Sequence, residues 1–443
     1  MFLTDVTGED NEALTRVGPG TLMGDLLRQY WVPAVLSEDL AAPDAAPIRV
    51  RLLGEDLVAF RDRGATVSLL AEHCPHRGAS LYFGRVEEDG LRCIYHGWKF
   101  ARDGRCVEMP NEPDECRFAG RVRALARGIS ERNGVVWAYL GPRPEPPPLP
   151  DLEWNLLPDK PPFLWRAVRF CNWVQALEGD LDSAHVGVLH ATLGDASAPT
   201  VPGTSMPGVW ADGTRLVRRS GPPRVEAVDT PFGALYSARR ALDGDHDYHR
   251  VHPFLMPFHT MVGGAVGDGP SSFNGKAWVP IDDERTLVLE WQLRPERAWS
   301  DDERAALARI RHPHGFLPAT SAAWSALHPR AHLGNDYLRE RALETTGQFC
   351  GIVSNPLQDA AVQESMGPVV DRTREHLGPA DAMIVRARRR LLGAARALRE
   401  HGATPPGVDE PRIYRLRPVG AVLARDADWV ADTRAAREAF VGV

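Results

Sequence analysis

Two short motifs in the first quarter of the sequence combine cysteine with histidine. They are Cys74-Pro-His76 and Cys93-Ile-Tyr-His96, and residues 77 to 92 separate them. Each motif supplies one thiolate and one imidazole. A [2Fe–2S] cluster with two cysteines on one iron and two histidines on the other uses this set of ligands. The pattern therefore predicts an electron-transfer centre held by Cys74, His76, Cys93 and His96.

A structural zinc site is the alternative interpretation of these motifs. Zinc fingers usually pair cysteine with cysteine and histidine with histidine along the chain, whereas each motif here mixes the two. The order favours a Rieske [2Fe–2S] centre, whose imidazole ligands raise its reduction potential above that of all-cysteine ferredoxins. Gly78, Gly97 and Trp98 follow the motifs. We expect the glycines to let the backbone approach the sulfurs and the tryptophan to shield the cluster.

A second group of candidate ligands lies between residues 172 and 190. It comprises Glu178, Asp180, Asp182, His185 and His190. Two histidines and one carboxylate form the facial triad of Fe(II) oxygenases, which leaves positions open for O2. On a regular helix His185 and His190 would be about 140° apart, so both could not face one iron. We therefore predict a helix over Asn172–His190 with a distorted turn or π-bulge near Gly187.

The third iron ligand should be a distant carboxylate. Asp359 is the best candidate because it begins a predicted helix, Asp359–Gly367, that follows a proline. Glu364 and Asp371 are rivals, and spacing alone does not choose among the three. The structural alternative is that Asp359 only caps its helix.

Two domains must position these ligands, because 443 residues are too many for one ordinary core. The predicted order is an N-terminal arm (1–24), a β-rich domain (25–141), a proline-rich extended linker (142–150) and a second domain (151–443). In the first domain a helix over Gly20–Trp31 leads into short strands that predict a β-sandwich: Ile48–Leu53, Leu57–Arg61, Val67–Leu70, Leu91–Ile94 and Val135–Leu140.

The second domain is expected to be α+β with an antiparallel sheet, because its strands and helices are separated along the chain. The predicted strands are Leu164–Phe170, Ala234–Ala241, Val251–Val262, Lys276–Ile281 and Thr286–Leu293. Helices are predicted over Asp301–Ile310 and Asp381–His401. The second of these carries many arginines, which we interpret as a solvated face rather than as a docking surface for an acidic reductase.

The bulk composition excludes several classes of protein. A net charge of −7 does not favour nucleic acid as a partner. No apolar run approaches the length of a membrane span, and the acidic N-terminus lacks the pattern of a signal peptide. We therefore expect a cytoplasmic protein, in which the six cysteines are metal ligands or isolated thiols rather than disulfides.

Beyond these motifs, the sequence resembles the large (alpha) subunit of Rieske non-haem iron aromatic-ring-hydroxylating oxygenases, in the phthalate 4,5-dioxygenase-like group. The resemblance covers nearly the whole chain. It is carried by Leu14–Gly20, Cys74–Phe100, Glu178–His190, Asn335–Leu338 and Gln358–Gly378. It implies a Rieske β-sandwich domain followed by a helix-grip catalytic domain.

The resemblance also implies roles for individual residues. It places the mononuclear iron on His185, His190 and Asp359. It gives Asp182 the role of an electron-transfer bridge, joining an iron-bound histidine to a cluster histidine of the neighbouring subunit, here matching His96. That arrangement implies a homotrimer with head-to-tail contacts, alone or stacked into a hexamer. A separate reductase with flavin and a plant-type [2Fe–2S] centre would deliver electrons from NADH.

Phthalate-like members act on aromatic carboxylates, which a bidentate arginine binds well. Arg239, Arg240 and Arg250 lie on or beside predicted strands, and we favour Arg250 for this role. Strand neighbours alternate, so Arg239 or Arg240 must point away from the pocket. The alternative is that all three are surface or structural residues. The loop Ala191–Gly213, rich in glycine, proline and serine, is interpreted as a cover over the pocket.

The expected function is hydroxylation of an aromatic carboxylate, such as phthalate or a relative, with O2 and with electrons from NADH. A monooxygenase or demethylase acting on a methoxy- or N-methyl aromatic would use the same site. An electron-transfer protein without oxygenase activity is the alternative of another class, but it would leave the residues after Pro150 unexplained. A zinc-containing binding module is a third alternative.

Overall fold

Ten short strands in the first part of the chain pair into three antiparallel sheets. The computed structural model describes residues 6–43, 45–113, 118–191, 221–242, 244–263 and 272–438. The sheet orders are β1-β10-β9, β2-β3-β4 and β5-β6-β7-β8. Their strands are β1 Trp31–Leu36, β2 Ile48–Leu52, β3 Glu55–Arg61, β4 Val67–Ala71, β5 Arg85–Val86, β6 Gly90–Arg92, β7 Lys99–Ala101, β8 Cys106–Glu108, β9 Gly128–Arg132 and β10 Val135–Tyr139.

The second part of the chain is built on one eight-stranded antiparallel sheet. Its order is β11-β17-β16-β15-β14-β13-β12, and β18 also pairs with β14. The strands are β11 Phe163–Arg169, β12 Arg224–Thr230, β13 Gly233–Ala241, β14 His246–Leu255, β15 His259–Val262, β16 Phe273–Pro280, β17 Thr286–Leu293 and β18 Val419–Ala424. The predicted α+β class and antiparallel sheet are confirmed.

Helices pack against this sheet and carry much of the site. They are α1 Gly8–Thr15, α2 Leu22–Leu27, α3 Trp173–Leu181, α4 Asp301–Arg311, α5 Leu343–Thr346, α6 Asn355–Ser365, α7 Ala382–His401, α8 Trp429–Asp432 and α9 Arg434–Arg437. The long helix α7 lies against β12 and β13, while α3 lies against β15 and β16 and also contacts α6. Among the described residues, we find no helix with the length and apolar character that a bilayer crossing requires.

One apolar core joins the two parts of the chain. Trp137 of β10, Trp154 and Trp291 of β17 stack in sequence, with ring centroids 6.0 and 5.9 Å apart. A second, smaller core contains Phe60, Leu91 and the cysteines of the two Cys/His motifs. The proline-rich segment 142–150 lies against the first part, where the Trp31 Nε1–H donates to the carbonyl of Pro147 at 2.7 Å.

Several predicted elements have the wrong bounds, including the helix Asp359–Gly367, which is α6 Asn355–Ser365. The expected helix Gly20–Trp31 is only α2, Leu22–Leu27, because Trp31 already begins strand β1, in which Pro33 lacks the N–H that a helix interior needs. The expected strand Val251–Val262 is interrupted between β14 and β15. Pro257 lies in that interruption and has no N–H for the strand ladder.

The basic face of α7 is not a simple solvated surface. Arg388 is buried and forms ion pairs with Glu178 and Glu375. Arg386 pairs with Asp229, and two further arginines reach the N-terminal helices, namely Arg396 to Asp10 and Arg399 to Asp25. These arginines therefore tie α7 to the sheet and to the start of the chain. The solvated interpretation is wrong for the buried Arg388, but Arg389, Arg396 and Arg399 are exposed.

Candidate metal centres

The two Cys/His motifs form a pair of equivalent turns. In the first turn the N–H of Gly78 donates to the carbonyl of Cys74 at 2.8 Å, and in the second Gly97 donates to Cys93 at 3.0 Å. Both glycines have positive φ, 76° and 77°, a conformation that other residues adopt only with strain. The glycines therefore close the two turns, while their predicted role in the approach of the backbone to the sulfurs stays a prediction.

The side chains of the motifs converge between the two turns. The rings of His76 and His96 have centroids 4.5 Å apart, and His76 stacks on Trp98 at 4.2 Å. Both cysteines are buried, whereas both histidines are partly exposed. Burial, assisted by the neighbouring Cys93, raises the pKa of the Cys74 thiol to about 11. These donors fit a cluster with its thiolate ligands inside and its imidazole ligands at the surface.

The segment that carries Asp182, His185 and His190 leaves the helix earlier than predicted. Helix α3 ends at Leu181, and Asp182 is its C-cap with extended backbone, φ −83° and ψ 116°. The Asp182 Oδ1 accepts from the N–H of Ala184 at 2.6 Å. A 3-10 turn, His185–Gly187, follows. The predicted distortion is confirmed, but it begins at Asp182 because that side chain takes over the hydrogen bonding of the following backbone.

Three of the proposed ligands meet at one point. The His190 Nε2 and His185 Nε2 lie 3.1 and 3.7 Å from the Asp359 Oδ1, and one donor atom from each residue lies within 4.8 Å of the others. All three side chains are partly exposed. The arrangement has the donor types of a 2-His-1-carboxylate iron site with open positions.

The structure separates Asp359 from its rivals. Glu364 accepts a hydrogen bond from the N–H of Phe170 at 3.1 Å, and Asp371 is exposed and accepts from the N–H of Thr373. The capping alternative for Asp359 is wrong, because α6 begins at Asn355 and its N-cap is Ser354.

Electrostatics stabilise the charged form of the Asp359 carboxylate. Burial raises its pKa, but His190 and His185 outweigh that effect and hold the pKa well below the usual value. An ionised carboxylate beside two imidazoles is the protonation state that a metal requires.

Asp182 contacts the same site from behind His185. Its Oδ2 lies 3.2 Å from the His185 Nδ1. Burial raises the pKa of Asp182, but the hydrogen bond from His185 and the charge of that ring lower it more strongly. An ionised Asp182 only accepts, so the Nδ1 of His185 carries the hydrogen and its Nε2 is free to bind a metal.

Two buried ion-pair groups hold α3 in place. Glu178 is buried and accepts from Arg372 at 3.1 Å and from Arg388 at 2.6 Å. Two residues later, Asp180 accepts from the Nζ of Lys276 at 2.5 Å. Glu178 and Asp180 were candidates for ligation, and the structure uses them instead to fix the helix that leads to Asp182. Lys276 has no motif or spacing that could have revealed this contact.

The three candidate arginines divide between the two faces of the sheet. Arg239 pairs with Asp247 at 3.3 Å on one face. On the other face Arg240 donates to the Ser183 carbonyl at 2.8 Å, and Arg250 donates to the Ser183 Oγ at 3.3 Å. Arg240 and Arg250 are both buried beside the segment that carries the predicted iron ligands His185 and His190. Most of the loop Ala191–Gly213, expected to cover the pocket, lies outside the described residues.

Comparison with known proteins covers both parts of the chain. A Rieske [2Fe–2S] domain matches residues 30–125, and a domain described as LigXa C-terminal domain like matches residues 138–440. The 3-chlorobenzoate-3,4-dioxygenase oxygenase subunit of Comamonas testosteroni is 38% identical over 95% of this chain and 96% of that protein. The chain belongs to the Rieske oxygenase family.

Further comparisons agree with this assignment. The phthalate 4,5-dioxygenase oxygenase subunit of Pseudomonas putida is 34% identical over 96% of this chain and 94% of that subunit. The structure of NdmB from Pseudomonas putida CBB5 has the same fold, with a TM-score of 0.59 at 19% identity, over 90% of this chain and 99% of NdmB. This Rieske oxygenase is therefore an oxygenase subunit with a cluster domain and a catalytic domain, rather than a stand-alone electron carrier.

Proposed function

We propose that this Rieske oxygenase uses O2 to hydroxylate an aromatic carboxylate, with Fe(II) held by His185, His190 and Asp359. The observation that carries the proposal is the meeting of these three donors within 4.8 Å. Fe(II) in such a site supplies the activation of O2. The protein positions the substrate beside the metal and controls access to it. Cys74, His76, Cys93 and His96 hold the cluster.

Removal of the Asp359 carboxylate tests the iron site. We expect Asp359→Ala to lower bound iron from about three to about two per chain, since a [2Fe–2S] cluster keeps two irons. The matched control is Asp371→Ala, which removes an exposed carboxylate on the next segment and should keep three. Iron analysis combined with the cluster's visible spectrum makes the measurement. Full iron content in the Asp359 variant would contradict the proposal.

The substrate class is proposed from the Arg240–Arg250 pair. Among the described residues, no carboxylate lies within 4 Å of either guanidinium, and the buried Nη1 of Arg240 has no hydrogen-bond partner. Burial and the charge of Arg250 lower the pKa of Arg240 to about 10. Two buried cations are costly without an anion. A substrate carboxylate would supply that anion next to Ser183, two residues before His185.

The electron route is proposed to cross between subunits of a homotrimer. His96 is partly exposed, and the neighbouring Ile94 and Tyr95 have relative exposures of 66% and 54%. Val188 and Met366, on the segments that carry the iron ligands, are also exposed. Apolar surface of this kind at both centres supports a head-to-tail contact in which Asp182 meets His96 of the neighbour. A separate reductase would supply electrons from NADH.

A further inference from the structure

Gln358 carries a buried side-chain amide that lies behind His190, one of the two histidines of the site. Its side chain is fully buried. The Gln358 Oε1 lies 2.6 Å from the His190 Nδ1, and its Nε2 donates to the Ile352 carbonyl at 2.7 Å and lies 3.2 Å from the Gln348 Oε1. Every polar atom of this amide is therefore engaged within the protein.

The Ile352 carbonyl decides which way the amide points. A carbonyl oxygen only accepts, so the NH2 end of Gln358 must face it and the oxygen end must face His190. An amide oxygen also only accepts, so the His190 Nδ1 must carry the hydrogen. The lone pair of His190 is then on Nε2, the atom that lies 3.1 Å from Asp359.

The segment that orients Gln358 also holds the backbone beside His190. The N–H of Phe349 donates to the carbonyl of Ala191 at 3.0 Å. Three residues later the Ile352 carbonyl receives the Gln358 amide. Residues 349–352 thus fix both the chain after His190 and the side chain that orients its ring, which is the arrangement of a preorganised ligand.

The two histidines of the site have partners of different charge. His185 donates to the carboxylate of Asp182, whereas His190 donates to the neutral amide of Gln358. A carboxylate partner raises the basicity of an imidazole ligand more than a neutral acceptor does. His185 should therefore be the more basic of the two imidazole ligands, because the negative charge of Asp182 lies behind it.

We propose that Gln358 is a positioning residue, which holds His190 in the Nδ1-protonated form so that its Nε2 is ready to bind the metal. The proposal rests on the proposed iron site. Replacement of Gln358 by Leu removes the acceptor with little change in volume. We expect about 10- to 100-fold weaker metal binding, the usual cost of losing such a partner.

Titration with Co(II) of the full chain, with its cluster intact and its iron site emptied by mild chelation, tests this inference. The EPR signal of high-spin Co(II) reports both affinity and geometry, and the cluster's visible spectrum reports folding. Gln358→Glu keeps an acceptor at the His190 Nδ1, while the O–H of its protonated carboxyl group takes over the donation to the Ile352 carbonyl, and it should bind Co(II) within a few-fold of wild type. Gln348→Leu is the matched control, because Ile352 still orients the amide, and it should also remain close to wild type.

Each other outcome has a definite meaning. Wild-type affinity and an unchanged EPR signal in Gln358→Leu would overturn the positioning role. Equal losses in the Leu and Glu variants would also overturn it, since the acceptor would then not be what matters. Wild-type Co(II) affinity in Asp359→Ala would instead refute the iron site itself, so the two failures are distinguishable.

Discussion

Asp182→Asn is expected to keep the cluster but to lower product formation by about 100-fold, even when its mononuclear site has been loaded with iron. An asparagine keeps the oxygen that accepts from the Ala184 N–H at 2.6 Å, so the turn after α3 should survive. It removes the negative charge that lies 3.2 Å from the His185 Nδ1. A neutral amide cannot stabilise positive charge on the two imidazoles that Asp182 is proposed to join. The measurement is product formed per reduced cluster, with iron content determined on the same sample.

A matched carboxylate elsewhere separates this role from a general effect of charge. Asp371→Asn also replaces a carboxylate that accepts from a backbone N–H, but it lies outside the site and should leave turnover unchanged. After rapid mixing of the reduced protein with O2 and substrate, reoxidation of the cluster should be slow in the Asp182 variant and should keep its normal rate in the Asp371 variant. Normal turnover in Asp182→Asn would contradict the proposal that Asp182 is an electron-transfer bridge.

Arg250→Met is expected to raise KM for an aromatic carboxylate by about 100-fold, which corresponds to ~2.7 kcal/mol and to the loss of a charged hydrogen bond. Methionine keeps much of the apolar stem but carries no charge. Arg240→Met should act in the same direction, because both guanidinium groups lie beside Ser183. The measurement compares KM for an acid with KM for its neutral amide, and only the acid should be affected.

Arg239 provides the internal control for that experiment. It is the strand neighbour of Arg240 but faces the other side of the sheet, where it pairs with Asp247 at 3.3 Å. Arg239→Met should leave both KM values near wild type. If the acid and its amide lose affinity equally in the Arg250 variant, the arginine supports the fold and does not bind a carboxylate.

The sequence was sufficient where chemistry depends on residues that are close along the chain. The four predicted cluster ligands lie in two turns whose spacing and glycines are local features, and the structure brings the two histidines together and places the two cysteines in one small core. The antiparallel sheet also follows from local strand patterns. A choice between candidate ligands that lie far along the chain depends on the fold and cannot be made from local sequence. Asp359, Glu364 and Asp371 are equivalent by spacing, and only the fold brings the first of them within reach of His190.

Several side-chain contacts could not be predicted either, because they too depend on how the folded chain brings distant residues together. Helix α3 stops at Leu181 because the Asp182 side chain captures the Ala184 N–H, and helical propensity does not reveal that competition. No local pattern singles out Gln358 or Lys276. Their roles arise from contacts with residues far along the chain, such as His190 and Asp180. Burial of Arg240 together with Arg250 likewise depends on how strands β13 and β14 pair.

Product analysis with 18O2 is the most direct test of whether this protein uses O2 to oxygenate an aromatic acid. The reduced protein would receive 18O2, a surrogate reductase with NADH, and a panel of aromatic acids with their neutral amides, and the products would be weighed by mass spectrometry. We expect labelled oxygen in the product of an acid, two atoms for dioxygenation and one for monooxygenation, whereas demethylation would place its one labelled atom in the released formaldehyde. No labelled product from any acid, from protein that contains both metals, would contradict it.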